Sequence, residues 1–337
     1  MKNLVWTALL LAVLLTGCSA SPAREPETAT FLAMDTAMQF TIYGDAALLA
    51  RSEDLIRSLE AAVSVTDGTS ALFAINRTGS GTLSGPAADL MEEALALCRR
   101  TDGALDLSVY PIVRAWGFTT GTHQVPGEET IQALLPLVDY TKIQYDAATG
   151  VVRLPEGMTL DLGSVAKGYA GRLAAQMLRE SGVDSALLSL GGNMQAVGGK
   201  PDGSPWQIGI QDPQGTDAMM VLSVRDQAVV TSGGYERYFE QDGRTYWHIM
   251  DPATGRPAES GLLSVTIVGE DGALCDGLST ALFVLGLEQA ADLWARSDDF
   301  EAVFVTTSGA VYLTEGLTDR FALTDPYADT PVRVIAR

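Results

Sequence analysis

The sequence predicts an α+β fold: one compact unit, divisible into two interlocked subdomains, in which mixed and antiparallel strands carry packed helices. Two observations predict it. Strand-like and helix-like stretches do not alternate in the regular way a doubly wound sheet requires. Between about 185 and 268, short apolar stretches follow one another with no helical pattern among them. There is neither an internal repeat nor a long linker.

The elements justify this reading in chain order. Lys2 precedes Leu4 to Leu15, a twelve-residue run without a charged side chain. The run is too short to span a bilayer and suits the apolar region of a secretory signal. It leads into Leu15-Thr16-Gly17-Cys18, which resembles the lipobox of bacterial lipoproteins and implies cleavage before Cys18 and lipidation of its thiol. Residues 1–17 therefore read as a signal peptide, 18–30 as a flexible tether rich in Ser, Ala, Pro, Glu and Thr, and 31–325 as the folded domain, with a tail at 326–337.

Residues 31–43 alternate like a strand, and 46–63 and 87–100 read as amphipathic helices. The segment 103–108 (GALDLS) precedes a stretch at 111–118 that holds Trp116. A strand-like Leu160-Asp161-Leu162 ends in Gly163-Ser164. A helix pattern then runs through Val165, Tyr169, Leu173 and Met177 and closes at Ser181-Gly182. Strands follow at 185–190, 206–211, 219–225, 228–231, 245–250 and 262–268. Helices at 276–285 and 287–296 and strands at 301–306 and 310–314 complete the core.

With 22 Lys and Arg against 42 Asp and Glu, the net charge of −20 argues against nucleic acid or an anionic lipid surface as partner. A phosphate site in such a chain depends on local dipoles or a cation. Besides Cys18 the only thiols are Cys98, on a helical pattern that buries it, and Cys275. A bridge between them is left open by the sequence. No Cys/His spacing of a zinc site is present.

Three features carry chemistry. Asp161, the Ser164 backbone and Lys167 gather at one helix start, where free N–H groups suit phosphate. A carboxylate there repels an anion unless a bound metal reconciles the two. The plainer reading makes Ser164 an N-cap and Gly163 a steric necessity. Second, in CDGLSTALFVLG, Asp276 and Thr280 stand four apart and face the same side of a helix, which suits a hard cation such as Mg²⁺. The plainer reading is an N-terminal Asp favoured by the helix dipole beside a packed Thr. Third, LSLGGN (188–193) and TSGGYERYF (231–239) end strands in paired glycines, and YWHIMDPATGRP (246–257) places His248 on a strand before a turn. A strand His is more often a core residue. Its setting between ligand-friendly loops makes His248 a candidate general base.

These motifs, in this order and together with MDTAMQF and GALDLSVYPIVRAWGF, resemble the ApbE family of FAD:protein FMN transferases from about residue 31 to 325. The resemblance implies a Mg²⁺ held by a backbone oxygen of Ser164 and by Asp276 and Thr280. It implies flavin-nucleotide contacts at Met34, Ala104, Leu105, Asp106, Asp161 and Lys167, with His248 deprotonating the acceptor. It further implies that FAD is the substrate and that its FMN moiety passes to a Ser or Thr hydroxyl of an acceptor flavoprotein while AMP leaves. Acceptors of the family are FMN-binding domains such as Rnf and sodium-pumping quinone reductase subunits, and its members are extracytoplasmic, often membrane-anchored lipoproteins. The alternatives are a Mg²⁺-dependent FAD pyrophosphatase and a non-catalytic flavin-binding lipoprotein. Three positions depart from the family pattern: Asp35 and Gly234, where many members carry Gly and an acidic or polar residue respectively, and 64–67 (SVTD), which lacks an aromatic found in some.

Overall fold

The computed structural model describes residues 25–337, so the signal run and Cys18 lie outside the described residues. A nine-stranded sheet organises the chain. Its strands lie in the spatial order Glu27–Ala33, Thr36–Ile42, Ala186–Leu190, Asn193–Val197, Ala228–Gly233, Leu262–Gly269, Phe300–Thr306, Val311–Thr314 and Val332–Ile335. Neighbours are antiparallel except the last pair, which is parallel.

The central strands are covered on both faces, and period-two alternation divides their side chains between two cores. Val230, Ile267, Ala302 and Phe304 join the helical side, with the helices Ala47–Val63, Pro86–Arg100, Gly163–Glu180 and Gly272–Ala295. Val229, Val268, Val303 and Val305 point the other way. There they meet Trp206, Ile208, Met220 and Leu222 from a three-stranded sheet of Trp206–Gln211, Ala218–Val224 and Phe321–Leu323. Burial on both faces explains why 262–268 is mostly apolar, with Ser264 and Thr266 its only polar residues and both buried. A third, smaller core of Ile112, Trp116, Phe118, Ile131 and Met250 lies under the loops near the site, with the Trp116 indole N–H donating to the Gly255 carbonyl at 2.9 Å.

Several boundaries differ from the sequence reading. The 31–43 strand is a hairpin whose turn, Met34-Asp35, has both residues at positive φ (50° and 58°), the backbone a tight two-residue turn demands. Its first strand begins at Glu27, inside the stretch read as tether, and Val332–Ile335, in the stretch read as a tail, pairs with the main sheet. The helix carrying Asp276 starts at Gly272, not 276, with the Asp271 carboxylate capping the N–H groups of Ala273 and Leu274. Gly286, at φ 78°, breaks that helix where the sequence reading separates two helices. The helices Ala71–Thr78 and Glu128–Leu134 and the strand Asn193–Val197 went unmarked. Cys98 and Cys275 are both buried and both free, so no bridge joins them. Among the described residues no helix is long and apolar enough to cross a membrane.

Candidate active site

One end of the sheet collects the site. The Met34-Asp35 turn adjoins the Gly191-Gly192 turn, because Met38 pairs with Leu190 and the Gly191 N–H donates to the Ala37 carbonyl at 3.2 Å. A Cβ on Gly191 would fall 2.2 Å from the Thr36 hydroxyl oxygen, so the turn needs glycine for closeness as well as for its φ of 61°. The neighbouring strand Ala228–Gly233 ends on the same side and delivers Ser232 and the loop with Glu236 and Arg237.

Two helices cross against this end at very short range. A Cβ on Gly168 would stand 2.0 Å from the Gly272 carbonyl oxygen and 2.6 Å from the Asp276 Cβ. The bare backbone at Gly168 therefore permits the crossing. As a result the Gly168 N–H reaches Asp276 Oδ2 at 2.8 Å, while Asn193 Nδ2 donates to Oδ1 at 2.9 Å. The Ser164 carbonyl, like any backbone carbonyl, has two lone pairs and so keeps acceptor capacity beside a helical bond. Ser164 itself sits inside the first turn, and Leu162 occupies the N-cap without a side-chain bond, so the capping role is overturned.

Asp276 is 4% exposed, and burial raises its carboxyl above the usual range, against the pull of Lys167 and of the two donors. One turn on, the Thr280 hydroxyl lies 3.3 Å from Ser232 Oγ, which also contacts Ser279 Oγ at 2.8 Å. The helix thus presents Asp276 to Gly168 of its neighbour and Thr280, one turn on, to Ser232. All available donors are oxygen: a carboxylate with spare lone pairs, a hydroxyl and a backbone carbonyl. Such a set fits Mg²⁺, which takes a few protein oxygens and fills the rest with water or phosphate. Among the described residues no group of three His, Cys, Asp or Glu side chains is arranged to hold a metal.

Lys167 is the electrostatic centre. Its charge acts on Asp161, Glu236, His248 and Asp276 together. Asp161 accepts from the Gly163 N–H at 2.8 Å, and burial raises its carboxyl against that bond and the charges of Arg237 and Lys167. Glu236 belongs to an exposed residue, yet its carboxyl is pushed up to about 7, by desolvation first and by the Asp276 charge in addition.

His248 lies in a bend between the strands Arg244–Trp247 and Met250–Asp251 rather than within a strand. Its backbone N–H donates to the Arg237 carbonyl at 3.0 Å, and its ring Nδ1 lies 3.2 Å from the same oxygen. A carbonyl can only accept, so Nδ1 carries the proton and Nε2 keeps its lone pair. Burial, then the positive charges of Arg237 and Lys167, lower the imidazole to about 4. The ring is neutral at ordinary pH and oriented as a base.

The remaining sequence candidates are held by other partners. The Met34 N–H donates to Glu60 Oε1 at 2.7 Å. Leu105 is 2% exposed and packs toward Gly277, next to Asp276, while Ala104 is partly buried against the same core. Both Asp106 oxygens are occupied, Oδ1 by the Ser108 N–H and hydroxyl at 2.8 and 2.6 Å and Oδ2 by the Tyr140 N–H at 2.9 Å. The Asp106 carboxylate thus braces the 104–108 segment. Sequence reasoning missed Asn193, Gly168 and Arg237. Asn193 and Arg237 stood inside quoted motifs, but their partners are more than eighty and ten residues away respectively.

A sequence model described as the ApbE family matches residues 34–304. The FAD:protein FMN transferase of Klebsiella pneumoniae is 35% identical over 287 residues, covering 83% of this chain and 89% of the relative. That of Treponema pallidum is 35% identical over 290 residues, covering 80% of each. The crystal structure of the ApbE protein of Thermotoga maritima superposes with a TM-score of 0.81 at 31% identity, covering 87% of this chain and 98% of that one. The apo flavinyl transferase ApbE of Pseudomonas stutzeri gives a TM-score of 0.76 at 29% identity over 90% and 96% of the two chains. Matched in sequence over most of its length and in fold over the same span, the chain belongs to the ApbE family.

Proposed function

We propose that the protein transfers the FMN moiety of FAD to a Ser or Thr hydroxyl of an acceptor flavoprotein and releases AMP. The names of its relatives support an enzyme of flavin transfer. The observation that carries the reading is the neutral, tautomer-locked His248 in the field of Lys167, which also acts on Asp161 and the buried Asp276. Binding alone has no use for an oriented base.

His248 Nε2 takes the proton as the acceptor oxygen bonds to the FMN-side phosphorus. The bond from that phosphorus to the bridging oxygen breaks, and AMP departs with it. Lys167 holds the nucleotide phosphates against the surrounding carboxylates. Asp276, Thr280 and the Ser164 carbonyl would hold Mg²⁺, whose bound charge polarises the pyrophosphate and offsets charge on the leaving group. Acceptors of the kind proposed are FMN-binding domains, among them Rnf and sodium-pumping quinone reductase subunits. The Leu4–Leu15 run and the lipobox-like Leu15-Thr16-Gly17-Cys18 support an extracytoplasmic protein anchored by lipid at Cys18.

Mass spectrometry tests the reaction. Protein, FAD, Mg²⁺ and an FMN-binding acceptor domain should give an acceptor heavier by FMN less water, with AMP released. Free FMN and AMP with an unmodified acceptor would mean that water is the nucleophile.

A further inference from the structure

Arg237 is a cation with no ion-pair partner among the described residues. One guanidinium nitrogen, Nη2, donates to the Phe118 carbonyl at 2.7 Å, and the other N–H groups have no partner. In this chain of net charge −20, Arg57, Arg100, Arg172, Arg179, Arg244 and Arg256 each hold a carboxylate, whereas Arg237 holds none. The backbone of Arg237 is also locked to the base, since its carbonyl takes both the N–H and the ring Nδ1–H of His248. Phe118, which anchors the guanidinium, lies 6.3 Å from the His248 ring, centroid to centroid. The side chain is thereby tethered at one corner next to the imidazole.

Its charge reaches Asp161, Glu236 and His248, the groups that Lys167 also influences. Two unpaired cations over one patch of a strongly acidic protein form a site for an anion. A guanidinium fork with free N–H groups suits phosphate oxygens in particular, because it can donate two parallel bonds.

We propose that Arg237 contacts the pyrophosphate of the nucleotide, its free N–H edge taking non-bridging oxygens beside Lys167 and His248. The inference rests on the FMN-transfer reading and adds a residue to it. As the acceptor oxygen bonds to phosphorus and the bridging oxygen leaves with AMP, negative charge builds on the oxygens that Arg237 holds. A donor fixed in place before the reaction favours that charge without reorganisation, and removing one such donor typically slows catalysis about 10²–10³-fold.

Arg237→Ala tests this against a role in pinning the Phe118 loop. The expected results are transfer slowed about 10²–10³-fold, partial recovery on adding guanidinium ion, and an unchanged melting temperature. The FAD dissociation constant should rise while that for riboflavin, which lacks phosphate, stays constant. Wild-type rates, or a loss that follows the melting temperature and does not respond to guanidinium, would overturn the assignment. Should the alanine variant fail to fold, Arg237→Lys and Arg237→Gln decide: a faster lysine variant supports the charge, and equal rates overturn it. A wild-type protein that leaves the acceptor unmodified in the same assay refutes the transfer reading instead.

Discussion

Gly168→Ala probes the contact that assembles the site. The added methyl would lie 2.0 Å from the Gly272 carbonyl oxygen and 2.6 Å from its carbon, both backbone atoms that no rotamer change can clear. Ordinary contact requires the two helices to part by about 1 Å or more. That motion stretches the 2.8 Å bond from the Gly168 N–H to Asp276 Oδ2 past hydrogen-bonding range. Overpacking costs about 1–3 kcal/mol, and a lost bond to a buried carboxylate costs about 1.5–3 kcal/mol more. The sum, about 2.5–6 kcal/mol, lowers the melting temperature by about 4–10 °C in a domain of about 300 residues. Calorimetry on the metal-free protein reads the stability, and Mg²⁺-dependent FAD binding reads the displacement of Asp276. Gly171→Ala is the control on the same helix, because its methyl would meet only side-chain atoms, at 3.2 Å from Leu190 and 3.4 Å from Gln195. A Gly168→Ala protein that melts within about 2 °C of wild type and binds FAD normally would refute the account of the crossing.

Other outcomes follow from the same geometry. His248→Ala should slow FMN transfer about 10²–10⁴-fold while FAD affinity, measured by fluorescence, barely moves; parallel loss of affinity and stability would instead mark a packing residue. Because the imidazole is held near 4 rather than its ordinary 6.5, its protonation should not limit transfer between pH 6.5 and about 5. The sign for stability is the reverse: the unfolded chain takes up that proton first, so the contribution of His248 to stability falls as pH drops from 6.5 toward 4, which denaturant titration of wild type against His248→Gln would reveal. Asp276→Ala should abolish Mg²⁺-dependent turnover and also lower the melting temperature, since it strands the Gly168 N–H and the Asn193 amide, each worth about 1–3 kcal/mol; full turnover in excess EDTA would remove the metal from the mechanism. Cys18→Ser should leave transfer in vitro unchanged and eliminate incorporation of labelled fatty acid, and a wild-type protein that never takes up label would end the lipoprotein reading.

What the sequence determined by itself was the local part. Periodicity placed the helices at 46–63, 87–100 and 165–180 to within a few residues, because each buries one apolar stripe whatever its neighbours do. Motif order sufficed to identify the family, and the spacing of Asp276 and Thr280 put both on one helix face. The tertiary structure decided how these pieces face one another. Helix starts at Gly163 and Gly272 were misplaced because their caps depend on backbone context: Leu162 caps nothing with its side chain, and Asp271 lies outside the apolar pattern. The bracing role of Asp106 is also tertiary, because Tyr140, more than thirty residues on, donates to one of its carboxylate oxygens. Asn193 gained meaning only beside Asp276, and Gly168 only beside Gly272, pairs separated by about a quarter of the chain or more. The protonation of His248 is tertiary as well. Its tautomer is chosen by the Arg237 carbonyl across a hairpin and its lowered affinity for a proton by burial among Arg237 and Lys167, neither of which is written in the local pattern around residue 248.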